Sequence, residues 1–181
     1  MRQTQQLLDY LATQKQAMLT YNSRDMILAV HSEASYISET KSWSRAGGHF
    51  FLSSNTTIPA NNGAILNIAH IIKHVMISTT EAELDSLYIM YLEAVYTRII
   101  LKDLGHTQPP TQLQPENSMA DAVINGKIIP KLIKAMDMQF HWLIDIKCQE
   151  QSRIYWRPGK LNYANYWTKH HPATHPKNTR R

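Results

Sequence analysis

The chain has 181 residues, of which 43% are hydrophobic and 18% are charged. This composition fits one globular domain with a buried core, and it is not that of an intrinsically disordered chain. The single cysteine, Cys148, excludes a disulfide framework and a cysteine-based metal cluster, and we expect it to be a small buried hydrophobic residue.

The positive charge is unevenly distributed along the chain. The net charge is +5, yet residues 126–181 hold 11 Lys and Arg against 3 Asp and Glu, whereas residues 1–125 hold 8 against 11. A basic C-terminal third favours a polyanionic partner, and a solvated basic tail is the alternative. Because residues 1–6 are polar and no apolar run is long enough for a bilayer, we expect a soluble intracellular protein, cytoplasmic or nuclear, without a membrane partner.

The first 77 residues predict one helix and three strands. Apolar residues recur at helical spacing in the predicted helix. Compact apolar runs bounded by turn-forming residues mark the three predicted strands. We expect the helix over Gln5–Met18 and the strands over Met26–His31, His49–Ser53 and Ala64–Ile72. Polar residues predict a loop over Ser38–Ala46 and a turn-rich connection over Ser54–Gly63. Three successive strands indicate an antiparallel meander.

The segment Ser78–Leu104 is the clearest predicted helix. Ser78 and Glu81 have the spacing of a capping box, as do Thr80 and Glu83, and Gly105 fits the position just after the helix. Seven residues are expected to form one apolar face, namely Leu84, Leu87, Tyr88, Tyr91, Leu92, Val95 and Ile99.

Shorter elements are predicted for the rest of the chain. They are a short strand at Leu113, helices over Ser118–Asn125, Ile133–Gln149 and Asn162–His170, and a strand over Arg153–Trp156. Strands separated by helices, after an antiparallel meander, imply a mixed sheet with helices on its faces. The predicted fold class is therefore α/β.

Four elements each place one polar residue near an element end. Glu33 follows the first strand, Glu83 lies in the first turns of the long helix, Glu116 follows the fourth strand, and Asn165 lies in the last helix. Converging carboxylates suit two Mg²⁺ ions about 4 Å apart, which clamp the attacking and leaving oxygens of a phosphodiester. Spacing alone is weak evidence, because acids are common near element ends.

Seven segments, spread over nearly the whole chain, form a specific combination. They are His31–Tyr36, Ser44–Phe51, Ser78–Glu83, Glu116–Ser118, Lys134–Trp142, Tyr155–Lys160 and Ala164–Pro172. Together they resemble the ribonuclease H domain of copia-type retrotransposon polyproteins. The resemblance implies a ribonuclease H-like fold, with a mixed five-stranded sheet flanked by helices, and hydrolysis of the RNA strand of an RNA–DNA hybrid during reverse transcription.

The resemblance also implies roles for individual residues and segments. The four metal-site positions of the family fall on Glu33, Glu83, Glu116 and Asn165, and the three glutamates would bind Mg²⁺ or Mn²⁺ in a two-ion site. The residues expected to bind nucleic acid are Arg157, Lys160 and Lys169. Residues 1–22 look like the tail of a preceding polymerase segment in a larger polyprotein, 23–172 like the ribonuclease H-like domain, and 173–181 like a basic tail.

Three of the four site positions depart from the family, which has Asp at each of them. Glu33 and Glu116 keep the charge, but the added methylene shifts each carboxylate by about 1 Å, a displacement that can cost about 100-fold in rate. Asn165 removes one negative charge. The resemblance therefore implies an enzyme impaired by substitutions in its acidic site. A catalytically dead nucleic-acid-binding module and a non-functional retroelement relic are the alternatives.

Several residues have a structural interpretation as well as a functional one. Glu83 also suits a helix N-terminus. Core or interface positions are expected for Trp142, Trp156 and Trp167, and a bend or close strand packing for Gly47 and Gly48. Asp137 and His141 have the spacing of a helical i,i+4 contact. His170 and His171 fit the preferences of a helix end, with a nearby phosphate as the alternative.

Overall fold

Ten helices and strands are present in the computed structural model, which describes residues 2–13, 18–128 and 137–169. The strands are β1 (Ile27–Ser35), β2 (Ser44–Ser53), β3 (Ala64–Ile72), β4 (Thr111–Gln114) and β5 (Ser152–Ile154). The α-helices are α1 (Arg2–Thr13), α2 (Thr79–Asp103), α3 (Ser118–Ile124), α4 (Asp137–Cys148) and α5 (Asn165–Thr168). Short 3₁₀ turns cover Thr40–Ser42 and Gly159–Leu161. The predicted order of elements is confirmed.

The five strands form one mixed sheet in the order β3-β2-β1-β4-β5. The first three strands pair antiparallel, whereas β4 runs parallel to both β1 and β5. The predicted mixed five-stranded sheet with flanking helices is therefore confirmed. Because β1 and β4 are parallel neighbours, the residues at their C-terminal ends lie at the same edge of the sheet.

The core lies between the sheet and α2, with α3 and α4 packed beside it. Leu28, Val30 and Phe50 contribute from the sheet, and Leu87 and Leu143 from the helices, and all are essentially inaccessible to solvent. Burying side chains of this size stabilises the fold by about 1.5–3 kcal/mol each.

The tryptophans do not share one environment. Trp142 packs edge-to-face against Tyr88 and Tyr91, with ring centroids 5.2 and 5.5 Å apart, so its predicted core position is confirmed. Trp156 and Trp167 remain 44% and 36% exposed. The core alternative is therefore wrong for these two, and the interface alternative stays a prediction.

Local signals defined the ends of α2 accurately. The Ser78 hydroxyl oxygen accepts a hydrogen bond from the backbone N–H of Glu81 (3.1 Å), and the Glu81 carboxylate accepts one from the N–H of Ile77 (2.7 Å). Gly105 adopts φ +91°, a left-handed conformation that glycine tolerates after a helix. The Ser78 cap and the terminating glycine are both confirmed, although Glu81 accepts from the N–H before the cap and Glu83 accepts from Ala34, so neither predicted capping box is complete. The predicted apolar face is correct only in its first half, since Leu92 and Ile99 are exposed.

Several predicted boundaries are wrong near the centre of the sheet. β1 continues to Ser35 because its pairing with β2 extends to the partner Arg45, so Glu33 lies inside the strand and not after it. Pairing of β2 with β3, in which Ser44 lies opposite Ile72, places Ser44 in a strand, where a loop was predicted. Isolated apolar runs underestimate a central strand, because backbone pairing with its neighbours continues through polar residues as well.

Other differences concern the chain ends and Cys148. α1 begins earlier than predicted and is described to Thr13, and Met18 is not helical. β5 ends at Ile154, and the last predicted helix is reduced to the four residues of α5. Cys148 is exposed, so its predicted burial is wrong. Residues 133–136 and 170–181, with His170, His171 and the basic tail, lie outside the described residues, as does the side chain of Asp137. Among the helices described, none is both long and apolar enough to cross a bilayer.

Candidate active site

Three glutamates from separate elements meet at one edge of the sheet. Glu33 comes from β1, Glu83 from the first turns of α2, and Glu116 from the segment after β4. One carboxylate oxygen from each lies within 4.8 Å of the others. Glu33 and Glu83 are buried, and Glu116 is about one quarter exposed. The residues that the sequence indicated as converging acids are therefore brought together.

Hydrogen bonds hold α2 against β1 at the acids. The Ser86 hydroxyl donates to the backbone oxygen of Glu33 (2.8 Å) and also contacts the Ser32 hydroxyl (3.0 Å). One Glu83 oxygen accepts a hydrogen bond from the N–H of Ala34 at 3.3 Å. These contacts fix the distance between the strand and the helix that carry two of the three acids.

The fourth candidate, Asn165, reaches the acids through a lysine. Its side-chain N–H₂ group donates to the backbone oxygens of Gly159 (2.9 Å) and Asn162 (3.0 Å). Its amide oxygen accepts from Lys169 Nζ at 2.8 Å. The same ammonium lies 2.8 Å from a Glu33 oxygen and 3.0 Å from a Glu116 oxygen. Asn165 therefore borders the carboxylate group without belonging to it.

Sequence reasoning missed Thr168, whose hydroxyl donates a hydrogen bond to the second Glu33 oxygen. It also assigned Lys169 to nucleic acid, whereas its ammonium binds the acids here. Lys169 follows Asn165 by one helical turn, and this i,i+4 spacing is the signal that indicates a contact between them. No comparable local signal exists for Thr168, because its partner lies on a distant strand.

A close approach of α5 to β2 places these residues. Gly47 pairs with Glu33 across the two strands. A Cβ atom at Gly47 would lie 2.6 Å from Thr168 Cγ2 and 2.9 Å from the backbone oxygen of Ala164, which is closer than packed atoms come. The prediction of close packing at this glycine is confirmed, and the absence of a side chain is what lets α5 reach Glu33.

Replacing Gly47 with Ala is expected to separate α5 from the sheet. Overpacking of this kind costs about 1–3 kcal/mol in the free energy of unfolding, and the Thr168 and Lys169 contacts to Glu33 should weaken with it. Urea unfolding measures the stability change. An unchanged midpoint and slope would show that α5 is not held as closely as the contact distances indicate.

Two buried polar side chains also connect the α5 region to β1. Asn162 Nδ2 donates to the backbone oxygen of Ser32 at 2.9 Å. His31 Nδ1 accepts from the N–H of Tyr163 at 3.1 Å. Burial lowers the pKa of His31 well below its ordinary value, and the nearby His49 acts in the same direction, so the ring is neutral and can accept this bond. Neither residue was identified from the sequence, since both partners are backbone atoms of remote segments.

Burial makes Glu33 and Glu83 reluctant to ionise. It raises the pKa of Glu83 to about 8, and the negative charge of Glu33 acts in the same direction. It raises the pKa of Glu33 to about 7, although hydrogen bonds from Lys169 and Thr168 oppose the rise. Burial alone would lower the pKa of Lys169, but Glu33 and Glu116 raise it above its ordinary value, so this lysine is positively charged. Among the described residues, the positive charge around the site is thus too small to neutralise all three carboxyl groups.

The donor set fits a hard divalent cation. Carboxylate oxygens from three elements surround one small volume, and Mg²⁺ and Mn²⁺ prefer such ligands. Glu83 Oε2 is buried and has no hydrogen-bond partner among the described residues, which is costly unless a cation or water satisfies it. A Cβ atom at Gly159 would collide with the Glu116 carboxylate, so this glycine leaves room for the third ligand.

The other two candidate basic residues lie outside the acid group. Lys160 is exposed in the 3₁₀ turn at Gly159–Leu161. Arg157 is partly buried, and its guanidinium donates to the backbone oxygen of Pro59 at 3.3 Å. A role of Arg157 and Lys160 in binding nucleic acid therefore stays a prediction.

Comparison with known proteins connects this geometry to a fold. No protein-family model matches the sequence, and no curated protein matches it. The N-terminal RNase H domain of Rv2228c from Mycobacterium tuberculosis superposes with a TM-score of 0.57 at 12% identity, covering 79% of this chain and 91% of that one.

LC11-RNase H1, isolated from compost by a metagenomic approach, is similar to this chain to nearly the same extent. It gives a TM-score of 0.55 at 12% identity over 76% of this chain and 88% of its own. The structure of LC11-RNase H1 in complex with an RNA/DNA hybrid gives 0.52 at 10% identity, over 75% and 88%. At such low identity the likeness concerns the fold, which in this chain is ribonuclease H-like.

Proposed function

We propose that this protein is a metal-dependent nuclease that hydrolyses the RNA strand of RNA–DNA hybrids, with a rate reduced by Asn165. The observation that carries the proposal is the convergence of Glu33, Glu83 and Glu116 at the sheet edge of a ribonuclease H-like fold. The resemblance of seven sequence segments to copia-type ribonuclease H domains supports the same reaction. Fold alone would not, because one fold hosts many functions.

Glu33, Glu83 and Glu116 would hold Mg²⁺ or Mn²⁺, in a two-ion site by resemblance. Bound divalent ions supply an activated water and stabilise the leaving oxygen of a phosphodiester. The protein contributes the fixed positions of the three carboxylates, set by β1, α2 and the Glu116 segment. Thr168 orients Glu33 by donating to the oxygen that does not contact Lys169.

The hybrid is proposed as substrate on two grounds. LC11-RNase H1, which shares the fold, has been seen in complex with an RNA/DNA hybrid. In this chain Arg157 and Lys160 lie in the segment between β5 and α5, which also carries Gly159 next to Glu116. They flank Gly159, whose backbone lies against Glu116, and positive charges there suit phosphate groups beside a cleavage site.

Lys160→Ala is expected to weaken hybrid binding and to reduce the slope of log affinity against log salt by about 1, as removal of one phosphate contact does. The measurement is fluorescence anisotropy of a labelled hybrid at several salt concentrations, in the presence of a chelator. Lys102→Ala is the matched control, because Lys102 is also exposed but lies in the last turn of α2. Equal slopes for wild type and Lys160→Ala would remove this residue from the binding surface.

A second candidate function is a binding module that holds a hybrid without cutting it. The observation that favours it is the Lys169 ammonium, which contacts Glu33 and Glu116 and so competes with a cation for them. The neutral Asn165 favours it as well. A relic without selected activity is the third possibility that the site substitutions permit.

Cleavage of an RNA–DNA hybrid with end-labelled RNA distinguishes these functions. The nuclease is expected to shorten the RNA in Mg²⁺ or Mn²⁺, and not in chelator, while a duplex of DNA alone stays intact. Glu83→Gln is the matched inactive control. Binding of the hybrid without cleavage in either metal would favour the binding module, and absence of both binding and cleavage would favour the relic.

We further propose that the chain is one unit of a copia-type retroelement polyprotein and works inside the cell. The seven sequence segments support this origin. On this proposal residues 1–22 belong to a polymerase segment, residues 23–172 form the ribonuclease H-like unit, and residues 173–181 form a basic tail. Limited proteolysis followed by mass spectrometry tests these boundaries, since cleavage should concentrate near them.

A further inference from the structure

The Lys169 ammonium has three oxygen partners within the site. They are Glu33 Oε1 at 2.8 Å, Asn165 Oδ1 at 2.8 Å and Glu116 Oε2 at 3.0 Å. A lysine ammonium has three N–H donors, and each has an acceptor here. Oxygen atoms converging on one positive charge are also what a metal ion requires.

Lys169 is directed into the site by the backbone around it. Its N–H donates to the backbone oxygen of Asn165 at 3.0 Å, which makes it the C-terminal cap of α5. The close approach of α5 to Gly47 then brings the side chain over Glu33. The Lys169 side chain is 42% exposed and the Glu33 side chain only 2%, so the ion pair is shielded from solvent on its inner side.

We propose that Lys169 is a built-in counter-ion that competes with the metal. In the metal-free protein its ammonium occupies the cation position between Glu33 and Glu116, and a divalent cation loads when the ammonium leaves. The metal identity in this inference rests on the proposed function. A divalent ion and an ammonium cannot share the same two carboxylate oxygens without strong repulsion, because both are positive and only a few ångströms would separate them.

When a cation binds, the Lys169 ammonium can move to the outer, solvent-facing side of the site. Lys169 is partly exposed and lies at the end of α5, so its four-carbon stem can turn towards solvent. A phosphate of bound nucleic acid is the anion that can hold it there. Substrate binding then empties the cation position, and metal and hybrid bind cooperatively. Lys169 thus contacts a phosphate when metal and hybrid are bound, and it contacts Glu33 and Glu116 when they are absent.

Calorimetric titration of Mn²⁺ into the full chain tests the competition without any cleavage. Lys169→Met is expected to bind Mn²⁺ at least tenfold more tightly than the wild type. Lys169→Arg keeps the charge and should bind no more tightly than the wild type. Lys102→Met makes the same charge change about 28 Å along α2 from Glu83, at 1.5 Å per residue, and should change the affinity less than twofold. An unchanged Mn²⁺ affinity in Lys169→Met, with the folded circular dichroism spectrum retained, overturns the inference.

A second titration tests the coupling to nucleic acid. A hybrid whose RNA strand carries 2′-O-methyl groups, chosen to resist cleavage, should tighten Mn²⁺ binding by the wild type and tighten it much less in Lys169→Met. By linkage, Mn²⁺ must tighten hybrid binding by the same factor. Equal effects of the hybrid on both proteins overturn the coupling through Lys169.

The two proposals fail in different ways. If Lys169→Met binds Mn²⁺ more tightly but no variant cleaves an unmodified hybrid, the counter-ion role stands and the nuclease function fails. If the wild type cleaves the hybrid while Lys169→Met shows unchanged Mn²⁺ affinity, the nuclease function stands and the counter-ion role fails.

Discussion

Asn165→Asp is expected to raise the initial rate of hybrid cleavage at saturating Mg²⁺ by about 10- to 100-fold, the range in which changes around a metal site commonly act. An amide is neutral, so it neither offsets the charge of divalent ions nor competes well with water for Mg²⁺. A carboxylate also cannot donate to the backbone oxygens of Gly159 and Asn162, as Asn165 does. Repelled by both backbone oxygens, the new carboxylate should turn towards the divalent ions held by the glutamates.

This gain in rate should come with a loss of stability. Removing two hydrogen bonds of about 0.5–1.5 kcal/mol each should lower the free energy of unfolding by about 1–3 kcal/mol in the absence of metal. Glu33→Asp and Glu116→Asp are the comparison variants, and each should raise the rate less than Asn165→Asp, because both positions already carry a charge. The three changes together should exceed the single ones non-additively. A triple variant as inert as the starting protein would place the defect elsewhere and favour the relic.

Glu83→Gln is expected to change the pH dependence of stability strongly. In the folded protein without metal, burial raises the pKa of Glu83 to about 8, whereas an unfolded Glu titrates near 4.3. The folded state therefore binds the proton more tightly, and the stability that this provides is lost as pH rises from about 4.3 to 8. The loss amounts to about 1.4 kcal/mol per pH unit across that window.

Gln has the same shape and does not ionise, so Glu83→Gln should be more stable than the wild type at pH 9 by several kcal/mol and similar to it near pH 4.5. Urea unfolding in chelator at both pH values is the measurement. Glu93→Gln is the matched control, because Glu93 is exposed on the same helix. In saturating Mn²⁺ the wild type should instead be more stable than Glu83→Gln, since only the wild type gains stability from the bound ion. If the stabilities of the wild type and Glu83→Gln changed with pH in the same way in chelator, the raised pKa of the buried Glu83 carboxyl would be contradicted.

The parts of the structure that the sequence predicted well depend on local signals. β3 was predicted with its observed ends, and α2 within one residue at each end, because a serine cap, a terminating glycine and a turn-rich segment act over a few residues. The three acids were located by the resemblance of the segments that carry them, because spacing near element ends is weak evidence by itself. Their convergence then follows from parallel pairing of β1 with β4 and from the Ser86 contact to Glu33.

The parts that were missed depend on tertiary contacts. Glu33 is a buried charge within a central strand, a position that pattern reasoning assigns to apolar residues, and it is compatible with burial because Thr168 and Lys169 reach it from the other end of the chain. The reduction of the last predicted helix to one turn leaves Asn162 outside it, where its side chain can bond to β1. No local pattern encodes either arrangement.

The burial of Glu83 makes metal uptake a proton-exchange reaction. Near neutral pH this carboxyl, with a pKa of about 8, is largely protonated in the metal-free protein, and a cation can use it as a ligand only after the proton has left. Each binding event therefore delivers protons to the buffer, and the observed heat contains the buffer's own heat of ionisation. Apparent affinity for the ion climbs with pH until Glu83 is fully ionised, so a dissociation constant for this site has meaning only together with the pH at which it was measured.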